Sequence, residues 1–403
     1  MMKSLVVLSF LLVTYFLYGF YINQYDATVV PRQLTTEHAS SYYDYKGVMN
    51  VHTDLSAGSA SPSFVITSAK LANLDFIVFT DLNLFNMPTT FESYHGNLLV
   101  LSAGKYSYLD SRLIYYSLNQ ESIGSNLGEA QVKLADLLSQ KTGASKDTLT
   151  VLAHPYKAGY SWNGEIPSGL DGFELLNLKS LSNRAWADSK LSTIWSLLLY
   201  PFNPRLSFLR LYTEPTDEIA LLDKLSTQRK IVVYAGTEAS ARAIPLANYF
   251  IRFPSYKRSF EIMSNHILLK SELTGSFNSD RIKIFNALKQ GSFYMAMDML
   301  GDPKGFVATI EDDGKSYLMG SEVRLSKNMA LKVKLPVKPK DFFEIVIYRN
   351  GEAIQHYNQP EVVMPIKESG TYRVQVRISP MLPLPDAKKW ISWIYTNPFF
   401  VKP

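Results

Sequence analysis

Residues 47–58, GVMNVHTDLSAG, and residues 74–83, LDFIVFTDLN, each hold a short apolar run that ends in polar side chains. Short apolar runs bounded by turn residues predict buried strands, here at 48–52 and 76–79. The residues between the two runs have helical spacing from Pro62 to Ala72. A strand, a helix and a second buried strand predict a parallel α/β arrangement, in which both strands end at the same edge of a sheet.

The same alternation continues to about residue 300. It predicts further strands at 98–102, 149–153, 172–176 and 231–235, a strand or hairpin at 105–118, and helices at 129–140, 182–199, 217–227 and 280–289. A chain of parallel strands separated by helices predicts an α/β domain, which we place at residues 46–302.

The pattern changes after about residue 303, where alternating strands replace helices. Strands are predicted at 306–310, 330–335, 343–348 and 371–378, and Asp313-Gly314 and Asn350-Gly351 are hairpin signals. Residues 303–403 are therefore predicted to form a small all-β sandwich. The five tryptophans, at positions 162, 186, 195, 390 and 393, are predicted to be core residues.

The N-terminus carries a long apolar segment. No charged residue lies between Lys3 and Asp26, and residues 5–22 are almost all apolar or aromatic. A helix of this length rises by about 27 Å, enough to cross a bilayer core. Residues 1–23 are therefore predicted to be a transmembrane signal-anchor, with the bulk of the chain on the extracytoplasmic side and residues 24–45 as a linker. A cleaved signal peptide, which would make the protein secreted, and a buried helix of a soluble protein are the alternatives.

Composition excludes several classes of site. The chain of 403 residues has no cysteine, which excludes disulfides, thiolate metal sites and cysteine nucleophiles. Its net charge of +5 comes without any run of five basic residues, so no nucleic-acid partner is indicated. With six histidines, a metal site would have to draw on a short set of ligands.

Polar side chains follow the predicted parallel strands in order along the chain. They include His52 after the first strand, Asp81 and Asn83 after the second, Lys105 after the third, His154 after the fourth and Glu238 after the last. Because the carboxyl ends of parallel strands meet at one edge, these side chains are expected to share a cleft. Glu174 and Asn177, in the strand at 172–176 and just after it, are expected to line the same cleft.

This series resembles the PHP (polymerase and histidinol phosphatase) domain family. Residues 47–58 and 74–83 resemble the family's HxHT, SDG and TDHN motifs, residues 151–155, VLAHP, its HP motif, and residues 172–177 and 235–241, GFELLN and AGTEASA, its later GxExxN and GSDAHA segments. Residues 393–401, WIYTNPFFV, resemble the ending of exported members with an appended β-sandwich. The resemblance implies a distorted seven-stranded β/α barrel, and active members hold several divalent metal ions and hydrolyse phosphoesters.

The chain departs from the family pattern at most metal-ligand positions. His52 and His154 match family ligands, and Glu238 stands where the family has aspartate. The other aligned positions hold Asn50, Ala57, Leu82, Lys105 and Ser240 in place of histidine or carboxylate ligands. Alanine and leucine cannot bind a metal, and asparagine and serine are poor zinc ligands.

Lys105 is the most consequential of these departures. An ammonium group about 4 Å from a divalent ion would be repelled by about 8 kcal/mol at an effective dielectric constant of about 20. The lysine could instead supply the positive charge that bound metal supplies in relatives, by pairing with Asp81 or Glu238. We therefore expect a metal-free pseudo-active site on an enzyme fold.

Two functions stay open at this point. In the first, the chain is a membrane-anchored pseudoenzyme that acts as a binding or scaffold module, without a cofactor and with an anionic or phosphate-bearing ligand. In the second, it is a divergent phosphoesterase in which His52, His154 and Glu238 hold one zinc, manganese or iron ion. Lys105 or Arg242 would then stabilise the phosphoryl charge.

Overall fold

The computed structural model describes residues 2–26, 28–30, 42–85, 89–119, 121–140, 145–246, 249–386 and 388–403. The side chains of Met2 and of residues 242–252 also lie outside this description. The helices are α1 Met2–Asn23, α2 Pro62–Leu71, α3 Leu127–Ser139, α4 Leu178–Asp188, α5 Lys190–Leu199, α6 Pro204–Leu211, α7 Thr216–Gln228, α8 Tyr256–Phe260 and α9 Phe277–Gln290, with short 3₁₀ turns at Thr89–Phe91 and Asp298–Leu300.

The molecule is a mixed α/β protein with one large sheet. The strands up to residue 296 are β1 Tyr43–Val51, β2 Phe76–Phe79, β3 Ser93–His95, β4 Leu98–Ser102, β5 Gly104–Tyr108, β6 Ser111–Ser117, β7 Thr148–Ala153, β8 Gly172–Asn177, β9 Val232–Ala239, β10 Arg242–Leu246, β11 Tyr249–Phe253, β12 Ser264–Leu269 and β13 Phe293–Ala296. The predicted strands at 76–79 and 98–102 are confirmed to the residue. Strand β1 begins at Tyr43, inside the predicted linker, and residues 31–41 of that linker lie outside the described part.

Eight of the first nine strands, all except β3, pair in a closed circuit. Parallel pairs join β9 to β1, β1 to β2 and β2 to β4, and β4 continues into β5, where Lys105 bridges Leu82. Antiparallel pairs then join β5, β6 and β7, and parallel pairs join β7, β8 and β9. The parallel strands therefore bring their carboxyl ends to the same rim.

Local sequence signals explain the helix ends. Ser61 caps α2 by accepting a hydrogen bond from the backbone N of Phe64, with Pro62 in the first turn. Gly291 ends α9 in a left-handed conformation, at a φ of 83°. The predicted single helix at 182–199 is wrong, because Ser189 ends α4 and caps α5 through its side chain.

Residues after 303 form two further groups of strands. These are β14 Val307–Asp312, β15 Lys315–Leu318, β16 Glu322–Arg324, β17 Ala330–Lys334, β18 Phe342–Arg349, β19 Glu352–Tyr357, β20 Glu361–Pro365, β21 Gly370–Ser379, β22 Ile391–Thr396 and β23 Phe399–Lys402. One group is an antiparallel sheet in the order β15-β14-β17-β20. The other is built around β21 and joins the large sheet through the antiparallel pair of β13 with β22.

Helix α1 is exposed over most of its length and packs on the rest of the molecule near its C-terminal end. It has a mean hydropathy of 2.1, and among the described residues it is the one helix long and apolar enough to cross a membrane. Ile22 is buried against Leu199, Leu206 and Leu382. The predicted apolar segment is thus a continuous helix, with the composition of a membrane anchor or a signal sequence.

Candidate functional site

Lys105 lies inside the rim, at the start of β5. Its side chain is buried, with 2% of the residue exposed, and its Nζ lies 3.1 Å from Asn50 Oδ1 and 3.5 Å from Glu238 Oε1. Burial lowers the pKa of the Lys105 ammonium, and the nearby carboxylates of Glu238 and Glu174 oppose that shift. Lys105 therefore faces the cleft, and its carboxylate partner is Glu238.

Glu238 is the anionic centre of the site. Its Oε1 lies 3.5 Å from the Nζ of Lys105, 3.2 Å from that of Lys157 and 3.4 Å from that of Lys179. His154 Nε2 lies 3.9 Å away. Burial disfavours the charged carboxylate, but Lys105 and Lys179, with smaller contributions from His154 and Lys157, hold the pKa of Glu238 well below its usual range. One carboxylate is thus shared by three ammonium groups.

Glu174 holds the floor of the site together. Its Oε1 accepts a hydrogen bond from Asn50 Nδ2 at 2.6 Å, and its Oε2 accepts from His154 N at 2.9 Å and from Asn177 Nδ2 at 2.8 Å. A Cβ on Gly236 would lie 1.7 Å from Glu174 Oε1, so a larger residue at that position of β9 would have to displace the Glu174 carboxylate from its hydrogen bonds. Burial raises the pKa of Glu174, and Lys105 opposes this.

His52 and His154 are buried next to this cluster. The Nδ1 atoms of both rings have no hydrogen-bond partner within the described residues. Burial, then the charge of Lys105, lowers the pKa of His154 to about 3 and that of His52 well below its usual value. Both imidazoles are therefore neutral at physiological pH.

Several site residues have positive φ angles, a backbone conformation that residues other than glycine rarely adopt. The φ angles of Asn50, His154 and Glu238 are 60°, 37° and 43°. The register of β1 also shifts between Val48 and Val51, on either side of Asn50. Backbone strain of this kind clusters at functional sites, where it aims side chains at a shared centre.

Asp81 and Asn83 support the rim. Asp81 accepts hydrogen bonds from Thr53 N at 2.7 Å and Thr53 Oγ1 at 2.9 Å, and a further one from the hydroxyl of Ser56. Of the two partners expected for Lys105, Asp81 or Glu238, the structure shows Glu238: the described contacts of Lys105 Nζ go to Asn50 and Glu238. Asn83 binds Ser107 through both its amide atoms.

The residues present do not fit the metal cluster that the family resemblance implies. Ala57 and Leu82 offer no ligand atom, and the Lys105 ammonium group lies 3.5 Å from Oε1 of Glu238, which would have to serve as a ligand. Among the described residues, the ligand atoms of His52, His154 and Glu238 do not gather as a metal-binding group. The side chain of the other candidate cation, Arg242, lies outside the described part.

A cavity of about 870 Å³ opens from the site between α4, α5, α6 and the end of β9. Its polar end holds Lys179, Glu238 and Ser240, next to Ala57. Its remaining walls are mostly apolar and are contributed by Leu178, Trp186, Leu197, Tyr200, Phe208, Leu211 and Phe253. Its volume is within the usual range for pockets that hold small molecules.

A second charged cluster lies at the opposite end of β1, and the sequence patterns did not reveal it. His266 Nδ1 lies 2.8 Å from Asp44 Oδ1, and His266 has ligand atoms within 4.8 Å of those of Asp298 and Asp302, a spacing that could hold a metal ion. Lys46 Nζ, however, already lies 3.2 Å from Asp298 Oδ1 and 3.1 Å from Asp302 Oδ2. Burial opposes protonation of His266, but these aspartates outweigh it and raise the pKa of His266 to about 10.

Sequence reasoning also missed Lys157 and Lys179. Each comes shortly after a residue that was identified, since Lys157 follows His154-Pro155 and Lys179 follows Asn177 by two positions. A search for basic residues close behind the strand ends would have found both. Lys46 and His266 have no such signal, because their proximity comes from the pairing of β1 with β12.

Comparison with known proteins gives a distant structural likeness. No family model and no curated protein matches the chain. A two-domain protein from Bacteroides vulgatus ATCC 8482, described as containing a predicted PHP-like metal-dependent phosphoesterase, is 10% identical with a TM-score of 0.40, over 92% of this chain and 99% of that chain. A candidate metal-dependent phosphoesterase from Bifidobacterium adolescentis ATCC 15703 is 10% identical with a TM-score of 0.30, over 51% of this chain and 92% of that chain.

Proposed function

We propose that this chain is a membrane-anchored, extracytoplasmic PHP-like protein whose cleft binds a ligand without metal-dependent hydrolysis. In this proposal the strand circuit is the distorted seven-stranded barrel of the family, within residues 46–302. Residues 303–403 are its appended β-sandwich. The support comes from the motifs that end in His52, Asp81, His154 and Glu238, and from the parallel pairings that bring those ends to one rim.

One observation carries the proposal: Lys105 Nζ lies buried between Asn50 Oδ1 and Glu238 Oε1. In a metal-dependent phosphoesterase, the metal site needs imidazoles and carboxylates as ligands, and the carboxylates offset the charge of the divalent cations. Here an ammonium group does the neutralising, since it is paired with the remaining carboxylate. A second cation of charge +2 would be repelled there.

Metal analysis of the full chain tests the proposal. Protein purified with zinc, manganese or iron present is expected to hold no stoichiometric metal through His52 and His154. Because the cluster around His266 could bind metal by itself, the analysis needs the variants His154→Ala and His266→Ala side by side. Metal that is lost in His154→Ala but kept in His266→Ala would overturn the pseudoenzyme.

A single-metal phosphoesterase is the second candidate, and a specific observation favours it. His52 Nδ1, His154 Nδ1 and Glu238 Oε2 are buried without hydrogen-bond partners among the described residues. Two imidazoles and a carboxylate are an acceptable zinc set with one open position. Turnover of bis(4-nitrophenyl) phosphate that chelator and His154→Ala both abolish, and that the exposed control His356→Ala leaves unchanged, would establish this function.

Anchoring through α1 is part of the proposal. Asn203 Nδ2 donates hydrogen bonds to Ile22 O at 2.8 Å and to Tyr25 O at 2.9 Å, so the end of α1 is fixed to the start of α6. A cleaved signal peptide would lose these contacts. Intact mass of the protein from a membrane fraction is expected to include residues 1–23, and protease added outside the cytoplasm is expected to degrade the chain beyond α1.

A further inference from the structure

The cavity joins a cationic end to an apolar body. At the cationic end, Lys179 and Glu238 line the wall, and Lys105 and Lys157 stand behind Glu238 within 3.5 Å of its Oε1. Three ammonium groups lie within 3.5 Å of Glu238 Oε1, and Glu174 is a second carboxylate near Lys105. Positive charge is in excess even when both carboxylates are ionised, so this end attracts a further anion. Apolar walls next to a cationic end match a ligand with an anionic head and a hydrocarbon tail.

Helix α5 connects the cavity to an exposed apolar surface. Thr193 and Leu197 line the cavity, whereas Leu191 is 82% exposed and Ile194 and Leu198 are also exposed. Trp186, predicted from the sequence to be a core residue, lines the cavity and is 45% exposed. The cavity therefore reaches the surface beside an apolar face, which is unusual for a surface in contact with water.

The C-terminal end of α5 and the turn after it lie against α1. Tyr15 donates a hydrogen bond to Leu198 O at 2.7 Å, and its ring lies 5.3 Å from that of Phe202. A Cβ on Gly19 would meet the ring of Phe202 at 2.5 Å, so the glycine allows this close approach. Tyr15 lies eight residues before the end of α1 at Asn23, which is about 12 Å along the helix axis. If α1 spans the bilayer, Leu198 and Phe202 lie within one leaflet.

We infer that the cavity takes an anionic phospholipid from this leaflet, with its phosphate against Lys179 and an acyl chain between α5 and α6. The inference rests on the proposed membrane anchor and on a cleft that binds without hydrolysis. The lipid enters beside Trp186 and Leu197, where the cavity meets the apolar face. Its phosphate adds a negative charge at the one end of the cavity where positive charges are in excess.

Photocrosslinking of the full chain in lipid vesicles tests this inference. The probe is phosphatidic acid with a diazirine in one acyl chain, diluted into phosphatidylcholine vesicles, and the comparison probe is phosphatidylcholine with the same diazirine. Labelling by the phosphatidic acid probe is expected on residues 186–211 and to exceed labelling by the comparison probe about tenfold, since basic groups near a membrane favour anionic lipid. Equal labelling by the two probes, or labelling confined to α1, would overturn the inference.

Two matched pairs of variants locate the binding. Lys179 and Lys332 have similar exposure, 43% and 45% of their side chains, and each pairs with a glutamate. Lys179→Glu is expected to lower labelling about tenfold, whereas Lys332→Glu leaves it unchanged. Leu191→Ser is expected to lower labelling, and Leu109→Ser, at a site that is 76% exposed and outside the cavity lining, is its control. Unchanged labelling of Lys179→Glu would contradict the proposed contact between the lipid phosphate and Lys179.

The outcomes also separate this inference from the proposed function. Stoichiometric metal at His52 and His154 would contradict the proposed pseudoenzyme function, whatever the lipid labelling shows. A metal-free protein that takes no label in residues 186–211 would contradict the lipid-binding inference and leave the proposed pseudoenzyme function unaffected.

Discussion

At the scale of single residues, the site depends on how charge is balanced in a buried space. Lys105, Lys157 and Lys179 share Glu238, and the neutral rings of His52 and His154 lie beside them. A buried ion pair contributes little compared with well-packed apolar groups, but removing one partner leaves a charge without compensation. The stability of the site should therefore depend on which partner is removed.

Glu238→Gln is the first test of this balance. The substitution leaves Lys105 buried without a carboxylate partner, so it is expected to lower the free energy of unfolding by about 3–5 kcal/mol. Adding Lys105→Met to Glu238→Gln removes the uncompensated charge and is expected to restore part of that loss. Urea unfolding of the full chain in detergent micelles measures both effects.

The control for this prediction is an exposed pair. Glu361 lies 3.8 Å from Lys332, and both side chains are about half exposed. Glu361→Gln is expected to change the free energy of unfolding by less than about 1 kcal/mol. A double variant less stable than Glu238→Gln would show that Lys105 is stabilised by something other than its carboxylate.

Two buried histidines predict a stability maximum near pH 6.5. His154, with a folded-state pKa of about 3, stays neutral while the unfolded chain takes up a proton below about pH 6.5, so stability falls as pH falls. His266, with a folded-state pKa of about 10, keeps its proton while the unfolded chain loses it above about pH 6.5, so stability falls as pH rises. Each slope approaches about 1.4 kcal/mol per pH unit.

Unfolding free energies measured between pH 5 and pH 10 test each histidine separately. His154→Gln is expected to make the acid side of the profile shallower and to leave the alkaline side, because His52, whose pKa is also lowered by burial, still favours unfolding as pH falls. His266→Gln is expected to flatten the alkaline side and to leave the acid side. His356→Gln, at an exposed position, should leave both sides as they are. A profile with unchanged slopes in the first two variants would assign the pH dependence to other groups.

The sequence was enough to predict part of the site and not the rest. The strand-end positions of His52, Lys105, His154 and Glu238 follow from alternation along the chain, and the structure brings these residues together. The choice of Glu238 over Asp81 as partner of Lys105 could not be predicted. It depends on Thr53 and Ser56, whose hydrogen bonds occupy the Asp81 carboxylate.

At the scale of elements, β8 and β9 fix the floor of the site through one close approach. Gly236 in β9 lies directly over the Glu174 carboxylate of β8, and a Cβ there would lie 1.7 Å from Oε1. A side chain at this position therefore requires the Glu174 carboxylate or one of the two strands to move. The register shift of β8 between Glu174 and Leu176 lies at the same place.

Gly236→Ala is predicted to displace Glu174 and to cost about 1–3 kcal/mol of unfolding free energy, the usual range for overpacking. Because Glu174 accepts the hydrogen bond from His154 N, the amide exchange of His154 is expected to become faster. Gly128→Ala, at the first turn of α3, is the control, and no loss of stability is expected there. Unchanged exchange at His154 would mean that β9 can shift without affecting the site.

Elements were predicted best where one local signal decides them. The strand at 76–79 is a fully buried apolar run, and the strand at 98–102 is apolar and buried as far as residue 101. The turns at Asp313-Gly314 and Asn350-Gly351 have the positive φ angles that such dipeptides favour. The break between α4 and α5 was missed because the apolar spacing continues across it. Only the cap made by Ser189 reveals it.

At the scale of the whole molecule, hydrogen bonds cross the predicted boundary at residue 302. Strand β13 pairs with β22, and Trp393 Nε1 donates to Gly301 O at 2.8 Å. Arg373 also binds both carboxylate oxygens of Asp223 in α7, at 2.8 and 2.9 Å. The division into residues 46–302 and 303–403 stays a prediction. The change of pattern near residue 303 marks a change of architecture, and it cannot show how tightly the two parts are joined.

Asn397 gives the sharpest test of that joining. It is fully buried, its Oδ1 accepts from Val233 N at 2.7 Å, and its Nδ2 donates to Val233 O at 3.2 Å and to Phe293 O at 3.1 Å. Asn397→Ala leaves these backbone groups of β9 and β13 unpaired, at about 1–3 kcal/mol for a buried polar group. We expect the full chain to keep one unfolding transition at a lower midpoint, because the lost bonds belong to both parts.

Hydrogen exchange decides whether the two parts respond together. In Asn397→Ala, amides of β9 and of β21 should both exchange faster, by a similar factor, because they open in the same unfolding event. Asn328, which binds Asp313 at the surface, supplies the control, and Asn328→Ala should change stability by less than about 0.5 kcal/mol. Faster exchange in β21 alone would mean that residues after 303 unfold independently. The stability of the rim that holds Lys105 and Glu238 would then not depend on the C-terminal strands.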